Sequence, residues 1–315
     1  MLVAVAVFIA SALLLIKSSE WVVTESIRAS RLFGISTFTI GFIIISISTS
    51  LPELSVAVFS TLEGAPSLSI GNLFGANLTD LTLILGLCAI FGGQLFLKKR
   101  DLEDLIELLF VVSLVTLLIL YNPQPSLITG TVLLALFGLL MVRLYKKGRI
   151  PRELFDGAHE KKGIALGKLF SGLILLLVAA HFLVDSALEI SQVLNLSPTL
   201  FGATAVALST TLPELTVELR AIRKKDYALA LGDLFGSAVT NITLVLGILM
   251  LGNIKIQQVD IAPLLGLFPF LFLTIFVLWY LLSKKQMLDR SHGIILVAIY
   301  IIYILEEYEF FAFLK

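Results

Sequence analysis

The sequence predicts an all-α membrane protein: ten transmembrane helices forming two inverted-topology five-helix repeats, with proline-interrupted helices at the midplane. Three observations carry that expectation: long apolar runs, a duplicated pair of motifs, and basic residues gathered on one side of the chain's turns. Of 315 residues, 58% are hydrophobic and 15% charged, with a mean hydropathy of +1.00; soluble domains carry about 25% charged residues. Runs at 2–16, 105–121, 127–141 and 261–282 approach the roughly 20 apolar residues a helix needs to cross about 30 Å of hydrocarbon. The remaining bulk figures exclude. Lys+Arg and Asp+Glu both number 23, so no basic domain offers itself to nucleic acid. Cys88 is the only cysteine, which removes disulfide frameworks and thiolate metal clusters. No polar stretch is long enough for a soluble domain.

The first span, 2–23, opens MLVAVAVFIASALLLI without a basic leader and runs on into apolar sequence, so it reads as a retained helix, not a signal peptide. Turn signals and charge clusters then bound spans at 37–60, 68–92, 105–121 and 127–143. Beyond a charged connection, RIPRELFDGAHEKKG, follow 164–193, 198–219, 227–250, 261–282 and 293–308. The basic residues orient them, because short cytoplasmic loops collect Lys and Arg. One side holds Lys17, Arg28 and Arg31, then Lys98, Lys99 and Arg100, and eight from Arg143 to Lys168. After the seventh and ninth spans it adds Arg220, Arg223, Lys224, Lys225, Lys284, Lys285 and Arg290. That side therefore has 21 of the 23 basic residues, with only Lys255 and Lys315 opposite. Ten spans with both termini extracellular satisfy the asymmetry; nine or eleven spoil it. The expected division is a first repeat at 1–144, a cytoplasmic connection at 145–163 and a second repeat at 164–315. Trp21 and Tyr121 read as interface anchors.

Residues 48–53 read STSLPE and 209–214 read STTLPE; GNLFGANLTDLTLILG at 71–86 faces GDLFGSAVTNITLVLG at 232–247. Both pairs share an offset of 161, and 17 of the 40 positions from 48 to 87 match their partners without a gap. Five spans per copy is an odd number, so the second copy enters the membrane from the opposite face. Secondary transporters are commonly built that way, with the substrate site near the midplane where the copies meet.

The repeated residues suit hard cations. Pro52 and Pro213 interrupt apolar spans, and a proline denies a hydrogen bond to the carbonyl four residues back, here Ser48 and Ser209. In hydrocarbon an unpaired carbonyl costs several kcal/mol unless something satisfies it, and a cation would. Thr49 and Ser50 lie four and three residues before Glu53, on one helix face; Thr210, Thr211 and Glu214 repeat the arrangement. A carboxylate at membrane depth costs about 2.5–3.5 kcal/mol or more, so it marks a site by default, and neither span holds a Lys or Arg to pair it. Gly71-x-x-x-Gly75 and Gly232-x-x-x-Gly236 let helix backbones approach, and Asp80 and Asn241 follow one turn after Ala76 and Ser237. The candidates offer oxygen alone, which fits Ca²⁺ with its 6–8 oxygen ligands at about 2.3–2.6 Å. Na⁺ accepts the same ligands, and protons can neutralise closely spaced carboxylates.

These motifs, STSLPE with GNLFGANLTD and STTLPE with GDLFGSAVTN, resemble the α-repeats of the Ca²⁺/cation antiporter superfamily, and are most similar to those of prokaryotic sodium/calcium exchangers. The resemblance implies a rigid eight-helix core against which the first and sixth helices slide, with cation sites between the second, third, seventh and eighth. It makes Glu53 and Glu214 central Ca²⁺ ligands, while Thr49, Ser50, Thr210, Thr211 and Ser237 add oxygens to flanking sites, chiefly for Na⁺. Asp80 and Asn241 fall where the pattern has its remaining acid and amide, but exchanged between the repeats. Ala76 replaces the hydroxyl seen at Ser237, Ser48 and Ser209 replace a glycine, and Asp233 stands where an asparagine, matching Asn72, is usual. The implied activity is Ca²⁺ exchange for Na⁺ across a prokaryotic cell membrane by alternating access, with no cofactor and no obligate protein partner.

The alternatives are a proton/Ca²⁺ exchanger of the same fold, a Ca²⁺ channel and an intramembrane aspartyl protease. Channels repeat around a pore axis, which inverted copies do not. The protease reading rests on LGD at 231–233, and Asp226-Tyr227 reverses the order its second aspartate requires, so no enzymatic activity is expected. His181 near Asp185 reads as a packing histidine. Glu218 is expected to pair with Arg220 or Lys225, and Glu20 and Glu25 to lie at the solvated end of the first helix.

Overall fold

The computed structural model describes residues 1–32, 45–96, 99–121, 126–147, 162–223, 225, 227–252, 262, 264–285 and 287–314. The chain opens with α1 (Leu2–Leu32), the short α2 (Ile45–Thr49) and α3 (Leu51–Leu62). A single helical rod follows, made of α4 (Pro66–Thr79), a π segment π1 (Asp80–Ile84) and α5 (Leu85–Gly92). Then come β1 (Gln94–Phe96), α6 (Lys99–Tyr121) and α7 (Leu127–Lys147). The second half has α8 (Lys162–Val193), a rod of α9 (Pro198–Phe201), π2 (Gly202–Val206) and α10 (Ala207–Arg223), and another of α11 (Tyr227–Thr240), π3 (Asn241–Val245) and α12 (Leu246–Gly252). It closes with α13 (Leu264–Lys285), β2 (Met287–Asp289) and α14 (Arg290–Leu314).

Local chemistry sets the helix starts. Pro66 and Pro198 occupy first-turn positions of α4 and α9, where a missing N–H costs nothing. Ser197 caps α9, its Oγ accepting the Leu200 N–H at 3.2 Å. Between α3 and α4 the chain turns at Gly64 (φ 69°), a conformation that only glycine adopts freely. β1 and β2 form a three-residue antiparallel ribbon pairing Gln94 with Asp289 and Phe96 with Met287, a detail that no alternating pattern announced.

Among the described residues, six stretches are long and apolar enough to cross a bilayer: Leu2–Glu25, Pro66–Gly92, Leu166–Val193, Pro198–Arg223, Ala230–Gly252 and Leu264–Lys284. Leu51–Leu62, Ile106–Ile119 and Leu127–Arg143 are shorter apolar helices. The protein is an all-α, multi-pass membrane protein. The helices overrun the expected spans at several ends, most at α1, which continues to Leu32 instead of stopping near residue 23. Glu25 is therefore not in a solvated end: it lies within the helix and is 4% exposed. The central connection at 148–161, residues 33–44 and Lys255 lie outside the described residues.

The expectation of proline-interrupted helices holds in one half only. The chain breaks at Ser50, between α2 and α3, with Pro52 in the first turn of α3. In the second half α10 carries Pro213 through its interior without ending.

Helix packing comes in repeat-related pairs. α4 packs on α10 while α11 packs on α2; α5 meets α14 while α12 meets α7; α4 touches α13 while α11 touches α6. Glycines make close approaches where α4 runs along α9 and π2. A Cβ on Gly71 would stand 1.8 Å from the Thr199 carbonyl oxygen, and one on Gly75 would stand 2.2 Å from that of Ala203. The apolar interior divides in two. One cluster is built on α1 and α8, around Leu15, Val22, Leu176 and Leu183; the other spans α4–α7 and α10–α14, around Phe74, Leu81, Phe235 and Leu296.

Candidate cation-binding site

The nine residues singled out from sequence all lie inside the protein. Thr49, Glu53, Asp80, Thr210, Glu214, Ser237 and Asn241 are 0% exposed, and Ser50 and Thr211 are 1% exposed. Glu53 is on α3, Asp80 opens π1, Glu214 is on α10 and Asn241 opens π3. Glu53, Asp80 and Glu214 are within electrostatic range of one another, as is Asp233 of α11.

Two of the three π segments, π1 and π3, begin at residues that the offset of 161 equates, Asp80 and Asn241. In each, the N–H of the residue five positions on reaches back to the first carbonyl: Leu85 to Asp80 and Leu246 to Asn241. Such bulges recur at functional sites because the widened turn re-aims side chains. Threonines support it from outside. Thr79 and Thr240 donate to the carbonyls of Gly75 and Gly236, each at 2.8 Å. Thr82 donates to Leu78, and Thr243 donates to Val239 at 2.6 Å.

A hydrogen-bonded frame surrounds the acids. Thr49 Oγ1 donates to Asp233 Oδ1 at 3.3 Å, and its repeat mate Thr210, beside Glu53, donates to Asn72 Oδ1 at 3.1 Å. Ser50 and Ser237 hydroxyls meet at 3.1 Å. The corresponding pair in the other half cannot form, because Ala76, the repeat mate of Ser237, has no hydroxyl; Thr211, the mate of Ser50, donates to the Leu208 carbonyl of its own helix at 3.3 Å. Asn241 Nδ2 donates to Asn77 Oδ1 at 3.3 Å, and Asn77 Nδ2 donates to the Ala238 carbonyl at 3.0 Å.

Inside this frame the acids are left unsatisfied. Both carboxylate oxygens of Glu53, Asp80 and Glu214, and Oδ1 of Asn241, are buried without a hydrogen-bond donor. Among the described residues no Lys or Arg is buried, so no fixed cation neutralises them. A buried charge without a partner is too costly to persist. The arrangement can hold a positively charged, oxygen-seeking ligand.

Four residues that the sequence did not place in the site belong to its surroundings. Asn72 and Asn77 supply amides; Asn77 donates to the carbonyl of Ala238, the residue 161 positions on, a contact no sequence pattern announced. Asp233, noted only as a departure, receives Thr49. Glu218 corrects an expectation. It is 0% exposed and faces Asp233, while Arg220 reaches Glu20 of α1 at 3.8 Å. Elsewhere His181 packs as expected, against Phe59 and Phe182 with ring centroids 5.2 and 5.4 Å away, and 3.9 Å from Asp185. Trp21 is 41% exposed and Tyr121 is 90% exposed, the latter fully open to surroundings.

Comparison with known proteins places the same architecture elsewhere. Residues 3–146 and 164–306 match the family described as sodium/calcium exchanger protein. A membrane protein of Methanocaldococcus jannaschii is 33% identical over 305 residues, covering 96% of this chain and 97% of that one. Inner membrane protein YrbG of Escherichia coli is 32% identical over 262 residues, 79% of each chain. Sodium/calcium exchanger MaX1 of Methanosarcina acetivorans is 23% identical over 92% of this chain and 94% of its own. A solved structure of the sodium-calcium exchanger NCX_Mj, soaked with Na⁺ and Sr²⁺, superposes with a TM-score of 0.68 at 31% identity, covering 96% and 98% of the two chains.

Proposed function

This chain belongs to the sodium/calcium exchanger protein family, and from that premise we propose that it exchanges Ca²⁺ for Na⁺ across a prokaryotic cell membrane by alternating access. The observation that carries the reading is the trio Glu53, Asp80 and Glu214, buried together with every carboxylate oxygen unpartnered. Ca²⁺ supplies two charges and accepts several such oxygens in irregular geometry. Glu53 and Glu214 are its central ligands, Asp80 and Asn241 complete the cluster, and Thr49, Ser50, Thr210, Thr211 and Ser237 line flanking Na⁺ positions. The exchange of acid and amide between repeats keeps the same chemistry because both positions face one centre.

Exchange follows from electrostatics. The carboxylates bind either Ca²⁺ or Na⁺, and an empty cluster carries unneutralised charge that is expensive to move through a dry barrier. Only the loaded transporter changes face. Ten spans, with 1–144 and 164–315 as inverted repeats joined by 145–163 and both termini outside, supply the two faces; the repeat-related packing pairs and the basic-residue asymmetry support that topology. The extensive packing of α1 on α8, at the centre of one apolar cluster, supports these helices as the sliding pair.

In reconstituted vesicles, Glu53→Gln and Glu214→Gln should each lower Na⁺-gradient-driven ⁴⁵Ca²⁺ uptake by about 100-fold or more, as loss of a charged ligand requires. Uptake at the wild-type rate in both variants would reject the site. A proton-coupled version is favoured by the number of buried acids around the centre, Asp233 and Glu218 included. Driving uptake with a pH gradient in Na⁺-free vesicles separates the two.

A further inference from the structure

Two carboxylates outside the central trio meet on its flank. Glu218 stands one turn beyond Glu214 on α10, is 0% exposed, and has no hydrogen-bond donor on either carboxylate oxygen. Asp233 of α11 is 4% exposed; its Oδ1 accepts Thr49 Oγ1 at 3.3 Å and its Oδ2 accepts nothing. The two side chains lie within hydrogen-bonding reach of each other, with Cys88 of α5 and Glu214 as the other ionisable neighbours of Glu218. The nearest basic residue in sequence is turned away: Arg220 is 61% exposed and paired with Glu20. Two acceptors in contact, without a donor between them and without bulk water, repel unless a positive charge joins them.

The repeat sharpens the point. The positions equivalent to Glu218 and Asp233 are Ala57 and Asn72, both neutral. This half alone carries two added negative charges, beyond anything the Ca²⁺ of the centre neutralises. The ligand set is hard: carboxylate oxygens from two residues, with the Thr49 hydroxyl on Asp233 and the Glu214 carboxylate near Glu218. Ca²⁺ asks for 6–8 oxygens and brings two charges, whereas an alkali cation brings one and binds in looser geometry. We propose that Asp233 and Glu218 form a monovalent-cation subsite adjoining the central cluster. Its occupant is Na⁺ or K⁺ held while Ca²⁺ fills the centre. Thr49 links the two sites: its hydroxyl donates to Asp233 Oδ1 at 3.3 Å, and it precedes Glu53 by four residues. The subsite rests on the exchange reading for its role in transport, but not for its existence.

The test is binding of ²²Na⁺ and ⁸⁶Rb⁺ (standing in for K⁺) to the purified full-length protein in nanodiscs at saturating Ca²⁺. The wild type should retain a monovalent cation under these conditions. Glu218→Gln and Asp233→Asn should weaken that binding by about 10-fold or more while Ca²⁺ affinity moves far less, and Glu218→Asp should keep most of it. Retention of Na⁺ identifies one occupant and retention of Rb⁺ the other; either supports the subsite. A wild type that binds neither, and instead holds a proton between the two acids, overturns it, as does unaltered binding in both neutral variants. The wild-type measurement stands even where a variant fails to fold. Absence of Na⁺-driven ⁴⁵Ca²⁺ uptake by wild-type vesicles would sink the exchange reading while leaving this binding result intact.

Discussion

At the scale of single residues, the site is defined by what its oxygens lack. Glu53, Asp80 and Glu214 are buried without donors, and leaving a buried polar group unsatisfied costs about 1–3 kcal/mol, more for a charged one. On the proposed reading, a cation completes the set. Asp80→Asn should therefore lower Ca²⁺ affinity by about 10–100-fold, and Asn241→Ala by less than about 10-fold, since removing a charge outweighs removing a dipole. Restoring the acid on the other side, with Asp80→Asn and Asn241→Asp together, should recover most of the loss. Isothermal titration with Ca²⁺ in Na⁺-free buffer measures both; a double variant no better than Asp80→Asn would show that the positions do not share one centre. Glu218 carries a lesson in legibility. Pairing with Arg220 was unsound on helical geometry, because residues i and i+2 point to different sides of a helix, and the structure sends Arg220 to Glu20 instead.

At the scale of elements, the repeat motifs do two jobs at once. Gly71 and Gly75 bring the α4 backbone against α9 and π2, and the helix then widens at Asp80 to turn the acid inward. Gly71→Ala would drive a methyl to 1.8 Å from the Thr199 carbonyl oxygen, an overlap that no side-chain rotation relieves. It should cost about 3 kcal/mol or more. Gly138→Ala on α7, with nothing within 4 Å of the added carbon, should be neutral. Thermal unfolding in detergent followed by size-exclusion recovery distinguishes the two, and equal midpoints would refute the close-approach argument. The GxxxG spacing was legible in the sequence; the π segments were not, since nothing in DLTLI or NITLV departs from helical composition. Likewise, one proline breaks its helix and its repeat mate does not, because a proline at a first turn and one in a packed helix interior face different neighbours.

At the scale of the whole molecule, one of the two apolar clusters is centred on α1 and α8 and takes in Val56 of α3, Leu68 of α4, Phe201 of α9 and Val206 of π2, where other helices pack against that pair. Sliding of that pair past the core requires contacts that can be exchanged. Phe59 of α3 and His181 of α8 touch across the boundary, with ring centroids 5.2 Å apart. In a Cys88→Ala background, Phe59→Cys with His181→Cys joined by a short bis-thiol cross-linker should reduce exchange to about a tenth or less, reversibly on reduction. Full transport by the cross-linked protein would exclude relative motion at this contact.

The sequence by itself determined the solvent, the duplication and the chemistry. Hydropathy along the chain chose the membrane, the offset of 161 exposed two related halves, and acids set beside prolines in apolar spans pointed to a cation. These are local properties, carried by residue type and spacing. Only the tertiary structure decided which side chains meet: Thr49 with Asp233, Thr210 with Asn72, Ser50 with Ser237, and Glu218 with a second carboxylate instead of an arginine. Such pairings depend on how far each helix is rotated and how deep it sits. Those two quantities are set by packing over the entire interior, and no single segment encodes them.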